Sequence, residues 1–238
     1  MARQTETQLD QYSPEDLKRI SDSLEGKPPA EVLRWALERF HPDIALACSF
    51  GAEDVALVDM VVRIQPDARI FYLDTDFLFA ETYELRDRVL QKYSIQPIRA
   101  VPSLSPQDQA TIYGPELWAR DANLCCNIRK VQPLTTVLSS LRAWITGIRR
   151  DQAPSRANSG IVEWDGKFQL VKVNPLAAWA WDDVWRYIQD NGVPYNVLHD
   201  RGYPSIGCTY CSRPVKPGED PRAGRWSGSD KTECGLHK

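Results

Sequence analysis

Apolar positions recur at helical spacing through "SPEDLKRISDSL" and "PPAEVLRWALERF", so residues 13–40 predict two N-terminal helices. The first is opened by a Ser13 cap with Pro14 in its first turn. The short apolar run "DIALACSF" predicts a strand that runs into Gly51, and "AEDVALVDMVVRI" returns to helical spacing. The same strand–turn–helix pattern repeats in "ARIFYLDT" and "LFAETYELRDRVLQKY". "IQPIRAV" reads as a third strand, and "AWITGI" as a fourth after an intervening helical region. Alternation of this kind predicts an α/β fold with a doubly wound, mostly parallel sheet. Beyond Arg156 the pattern changes. "IVEWDGKFQLVKV" predicts a hairpin around Asp165-Gly166, and "WDDVWRYIQDNG" a helix stopped at Asn191-Gly192. From 193 to 238 little periodicity remains, and a loop-rich tail of that length needs something other than a core to order it. There is no internal repeat, so residues 1–238 read as a single domain.

Composition changes this picture little. With 42% hydrophobic and 26% charged residues the chain is ordinary globular protein rather than disordered. No apolar run reaches membrane-spanning length, and "MARQTETQLDQ" has no apolar signal core, so a cytoplasmic protein with no membrane partner is expected. A formal net charge of −3 gives no reason to expect nucleic acid. The distribution is more informative: residues 120–156 carry seven basic against two acidic side chains, and 201–238 seven against four. Two basic segments in an acidic chain point to a localised anion site.

Six cysteines without a secretory signal argue for metal or redox chemistry over a disulfide framework. Cys125-Cys126 and Cys208-x-x-Cys211 form two close pairs, whose four thiolates suit zinc or an iron–sulfur cluster. Adjacent cysteines diverge, which is awkward around one small tetrahedral ion. A cubane cluster presents several irons, one for each diverging thiolate. Cys48, in an apolar strand, reads as a buried small hydrophobe. Cys234 stands in "KTECGLH" at the end of the chain. Chain ends are solvated, so a thiol there is poorly placed to fill a core and well placed to enter a cleft, react, and meet a second protein.

"CSFGAEDVAL" sets Ser49 and Gly51 between a strand and a helix N-terminus, where free N–H groups favour an anionic or nucleotide ligand. Glu53 and Asp54 already complement that helix dipole, which makes the loop a poor seat for a large polyphosphate. "LDTD" offers Asp74, Thr75 and Asp76 at the end of the next strand. "GIRRDQAPSR" supplies Arg149, Arg150 and Arg156, and "PRAGRW" supplies Arg222 and Arg225; guanidinium forks match phosphate and sulfate oxygens.

Taken in order, "SFGAEDVAL", "LDTDFLF", "CCNIRKVQPL", "TGIRRDQAPSR", "GCTYCSRPV", "AGRW" and "KTECGLH" resemble the assimilatory adenylyl-sulfate reductases. These are relatives of the phosphoadenylyl-sulfate reductases and of the ATP pyrophosphatases, and the resemblance runs from about residue 45 to the end. It implies an adenine nucleotide α-hydrolase-like fold whose cluster-binding tail spans 193–238. It differs from the ATP pyrophosphatases in that Ser49-Phe50-Gly51 lacks the second glycine of their SGGxDS loop. It differs from the plant-type enzymes in that no thioredoxin-like extension follows Lys238, so the reductant is expected to be another protein.

The resemblance further implies that the Cys234 thiolate attacks the sulfur of adenosine 5′-phosphosulfate, that AMP leaves, and that thioredoxin or glutaredoxin releases sulfite from the S-sulfocysteine. It carries Lys130, Arg156, Arg222, Arg225 and His237 over as the phosphosulfate cradle, with Ser49, Gly51, Asp74 and Gly147 on the nucleotide side. Cys125, Cys126, Cys208 and Cys211 become ligands of a [4Fe–4S] cluster. Ser227-Gly228-Ser229 is the expected hinge of a moving tail, and Glu233 is expected to oppose thiolate formation beside it. Self-association as a homo-oligomer stays open. Two rivals stand beside this reading: a phosphoadenylyl-sulfate or dual-specificity reductase, and a zinc-stabilised nucleotide-binding module whose tail thiol is incidental.

Overall fold

The computed structural model describes residues 12–227 and 231–237. The two N-terminal helices are α1, Pro14–Leu24, and α2, Pro29–Phe40. Ser13 and Asp16 form a reciprocal capping box at the start of α1, which satisfies two of its free N–H groups. There follow β1 (Ile44–Ala47), α3 (Ala52–Ile64), β2 (Arg69–Leu73), α4 (Ala80–Tyr93), β3 (Ile98–Ala100) and α5 (Pro106–Tyr113). Short helices α6 (Leu117–Arg120) and α7 (Ala122–Cys126) lead through a π-helical turn at Asn127–Val131 into α8 (Gln132–Leu138). The chain closes its sheet with β4 (Ala143–Ile145), β5 (Val162–Asp165) and β6 (Leu170–Val173), and α9 spans Trp181–Asp190.

The strand order is β3-β2-β1-β4-β6-β5. All neighbours are parallel except the β5–β6 hairpin at the edge. Strands this short and apolar are buried on both faces, and their side chains alternate between two cores. Ile44, Leu46, Ile145 and Val173 pack with α2, α3 and α9 on one side. Ala45, Phe71 and Trp144 pack with Leu134 and Leu138 of α8 on the other. One buried charge ties the first layer together: Asp59 of α3 accepts from Tyr93 of α4 at 3.0 Å and Tyr187 of α9 at 2.6 Å, and pairs with Arg63 at 2.9 Å.

From β1 the chain winds outward to β2 and β3, then returns to the other side of β1 as β4. Such a reversal opens a crevice at the C-terminal ends of the two strands. The loops that flank it are Ser49–Gly51 after β1 and Gly147–Arg156 after β4. The hairpin arises as expected, although its turn takes residues 166–169 rather than a tight two-residue Asp-Gly link. Residues 193–227 hold only single helical turns, and two isolated bridges, Leu78 with Cys208 and Ser212 with Arg225, fasten them to the domain and to each other. Among the described residues no helix is long and apolar enough to cross a membrane.

Candidate active site

The crevice is a cleft of about 540 Å³, within the size range of small-ligand sites, and every residue predicted to bind substrate or react, except Asp74, lines it. A smaller inner pocket of about 130 Å³ continues beneath it and shares Ser49, Asp54, Lys130, Gly147, Leu236 and His237 with the cleft. Its other walls are mostly apolar, including Phe71, Leu73, Leu134 and Trp144, with Thr75, Thr82 and Thr146 among them.

On the strand side, Phe50 takes a left-handed φ of 60° and turns the chain into α3. This brings Asp54 back onto the loop, where its carboxyl accepts from Ser49 N at 2.6 Å and Ser49 Oγ at 2.5 Å. Burial pushes the Asp54 carboxyl up to about 6, against the lowering effect of those hydrogen bonds. Two of the loop's donors, Ser49 N and Oγ, are therefore taken by the chain's own acid. Gly147 packs directly on this acid: a Cβ there would collide with the Asp54 carboxylate and lie 2.9 Å from the Glu53 Cβ. Gly147→Ala is expected to cost about 1–3 kcal/mol of stability, read by thermal unfolding.

Of the arginines after β4, only Arg156 reaches the tail. Arg149 is buried against Glu53 at 2.9 Å, and Arg150 pairs with Glu25 at 2.7 Å. Asp74 also departs from expectation. It is 1% exposed and accepts from Tyr83 Oη at 2.7 Å and Arg99 Nε at 2.8 Å. Its carboxylate is thus an internal anchor between β2, α4 and β3, and it does not line the cleft.

On the opposite wall Lys130 comes from the π-helical turn. Gln132 N–H reaches back five residues to Asn127 O, and Pro133 has no N–H to give and crowds the carbonyl of Arg129, so the helix widens. Burial opposes the Lys130 charge, yet the sulfurs of Cys208, Cys234 and Cys126 around it outweigh that and hold its ammonium above the ordinary range. Arg225 donates to Ser205 Oγ at 3.1 Å and lies 4.5 Å from the centre of the Trp226 ring.

Residues 231–237 are docked rather than frayed. Lys231 donates to Ala122 O and Asn123 Oδ1 at 2.9 Å, and Lys167 to Gly235 O at 2.6 Å. His237 stacks on Trp144 with ring centres 5.6 Å apart. Burial, then Arg156, Lys172 and Arg222, hold its imidazole well below the usual range, so it enters the site as a neutral group rather than as a cation. Glu233, expected to oppose a thiolate, is instead captured by Arg156 and Arg222. Of the expected hinge, Gly228 and Ser229 lie outside the described residues.

Behind Lys130, Cys125, Cys126, Cys208 and Cys211 ring one small gap of about 10 Å³ with Phe77, Trp118, Arg129 and Tyr210. Helix α7 presents the first pair. The Leu78–Cys208 bridge and the Thr209 N–H bond to Phe77 O, at 2.8 Å, present the second. Burial, then Cys126 and Cys208, push the Cys125 thiol up to about 11. A hydrogen bond from Cys211 overcomes burial to hold Cys208 well below the ordinary thiol range, helped by Lys130 and Thr75. Among the described residues, no three His, Cys, Asp or Glu side chains close to single-ion spacing. Arg129 is 1% exposed; it gives Nε to Gln109 at 2.8 Å and Nη1 to Asp76 at 2.9 Å, while its buried Nη2 has no partner. Four soft thiols around a gap, with a spare cationic donor in the wall, fit an anionic iron–sulfur group better than a lone ion. The resemblance points to Lys130 but not to its neighbour Arg129, and the contact of Asp54 with Ser49 exists only in the folded loop.

Nucleotide-sized crevice, cationic wall and delivered thiol together define a nucleotide-dependent sulfur-chemistry enzyme on an α/β sheet. Residues 43–214 match the phosphoadenosine phosphosulfate reductase domain, and the chain belongs to that family. It is 46% identical over 231 residues to the adenosine 5′-phosphosulfate reductase of Halalkalibacterium halodurans, covering 97% of this chain and 100% of the relative. It is 48% identical over 222 residues to adenosine 5′-phosphosulfate reductase 2 of Bacillus subtilis, covering 93% of each. The crystal structure of phosphoadenylyl-sulfate reductase from Candida auris, a phosphate complex, superposes with a TM-score of 0.77 at 30% identity over 85% of this chain and 98% of that one.

Proposed function

We propose that this chain reduces adenosine 5′-phosphosulfate to sulfite and AMP, as an oxidoreductase of assimilatory sulfate reduction. The observation that carries the reading is that Cys234 lines the same cleft as Lys130, Arg222, Arg225 and His237. The Cys234 thiolate attacks the sulfur, an S–S bond forms, and the S–O bond to the phosphate breaks with its electron pair leaving on AMP. A thiolate and a sulfate ester are both anions, so the approach needs charge neutralised in the transition state, which Lys130, Arg222 and Arg225 supply. A thiolate of thioredoxin or glutaredoxin then attacks the Cys234 sulfur, and sulfite leaves with the S–S electron pair. The reductant's second thiol resolves the mixed disulfide, frees Cys234, and completes the two-electron balance. The nucleoside side is formed by Ser49, Gly51 and Gly147 with the apolar inner pocket.

Cys125, Cys126, Cys208 and Cys211 would hold a [4Fe–4S] cluster, with Arg129 as a donor to it. When bound, that group supplies a fixed negative charge behind Lys130 and cross-links the loops of 193–227 to α7. Steady-state competition tests the substrate. A higher kcat/KM for adenosine 5′-phosphosulfate than for its 3′-phosphorylated form is expected, and the reverse order overturns the assignment.

A further inference from the structure

The residue before the nucleophile is an acid, which is a poor neighbour for a thiolate. Its surroundings show what the charge does instead. Glu233 is 4% exposed, and Arg156 grips it with both ends of its fork, Nε to Oε1 and Nη2 to Oε2, each at 2.9 Å. The remaining nitrogen of Arg156, Nη1, donates to Gln152 Oε1 at 2.5 Å, so every nitrogen of that guanidinium is engaged within the chain. Arg222 adds Nη2 to Glu233 Oε2 at 3.1 Å and to the Thr232 carbonyl at 2.8 Å, and Ser155 Oγ donates to Oε1 at 3.1 Å. Two fixed loops, one after β4 and one at 222, thus converge on a single carboxylate 77 residues away from Arg156.

A buried bidentate pair of this kind is all-or-none. Removing one partner leaves the other charge uncompensated. The other described ties on the tail are Lys231 to Ala122 O and Asn123 Oδ1, Lys167 to Gly235 O, and the packing of Leu236 and His237 against the Trp144 cluster. Among the described residues of the tail, Glu233 is the charged, buried attachment adjoining Cys234.

We propose that Glu233 is a positioning residue, a latch whose clamp by Arg156 and Arg222 seats Cys234 in the cleft, and that Arg156 serves the tail rather than the substrate. This rests on the reading of Cys234 as nucleophile, and it changes the role that the resemblance gave Arg156. Neutralising the phosphosulfate then falls to Lys130, Arg225 and the nitrogens of Arg222 other than Nη2.

The test uses the full chain with its visible chromophore and melting temperature checked in every variant. The rate of Cys234 alkylation by iodoacetamide without substrate is measured beside AMP affinity and kcat. Glu233→Gln is expected to speed alkylation of Cys234 by about tenfold and to lower kcat by a similar factor, with the Kd of AMP unchanged within about twofold. Arg156→Gln is expected to reproduce this, and the double variant to add little, because both changes act on one pair. If Arg156 instead binds substrate and Glu233 only fills its place, Glu233→Gln tightens AMP binding and keeps or raises kcat, while Arg156→Gln weakens AMP binding. Either result overturns the latch. Cys234→Ser separates the two readings: retained turnover there defeats the nucleophile assignment, while the alkylation rates of the Glu233 and Arg156 variants still report the latch.

Discussion

Cys234→Ser is expected to abolish sulfite production, with a loss of about 10³-fold or more in kcat, while AMP binding and the visible chromophore persist. The reasoning is local. Serine keeps the size of the side chain, so Glu233 on one side and Leu236 and His237 on the other still dock the tail. What is lost is the sulfur nucleophile beside Lys130, which can form a bond to sulfur that a thiol can later break. Assaying sulfite release with adenosine 5′-phosphosulfate and reduced thioredoxin checks the first part, and absorbance and calorimetry the second. The same substitution at Cys48 is expected to leave turnover intact, since that thiol is 3% exposed within the core and burial pushes its pKa well above the ordinary value.

Cys126→Ser is expected to remove iron and acid-labile sulfide and to lower the apparent melting temperature by about 5–10 °C. Four thiols border the cavity, and the segment 193–227, which has only single helical turns of its own, is joined to the domain there by the Leu78–Cys208 bridge and the Thr209 N–H bond to Phe77 O. Losing one ligand therefore removes the cross-link between α7 and that segment. Lys130 and Arg225 are positioned by the same elements, so activity falls with the metal content. Iron and sulfide analysis of protein purified without oxygen measures this directly, and stoichiometric zinc without sulfide in the unsubstituted protein would refute the cluster.

Where apolar spacing is regular, the sequence read cleanly. The Ser13 cap, the β1–α3 and β2–α4 units and the hairpin before α9 all fall where local pattern puts them. The cysteine pairs stand out by residue type and spacing, whereas Lys130, Gly147 and His237 enter only through the resemblance of their motifs. What escaped is long-range. Asp74 was assigned to the nucleotide from its place at a strand end, but Tyr83 and Arg99 reach it only after α4 and β3 pack beside β2. Glu233 was judged by its neighbour Cys234, whereas its charge is decided by Arg156, 77 residues earlier in the chain. The π-helical turn that aims Lys130 depends on Pro133 acting inside a helix, which periodicity does not register.

Incubating the protein with adenosine 5′-phosphosulfate carrying radioactive sulfur, with no thiol donor, most directly tests the proposed chemistry. The account predicts one equivalent of AMP released and label retained on the peptide containing Cys234, set free as sulfite on addition of reduced thioredoxin. Label on Cys48, or AMP release with no label on the protein, would contradict it.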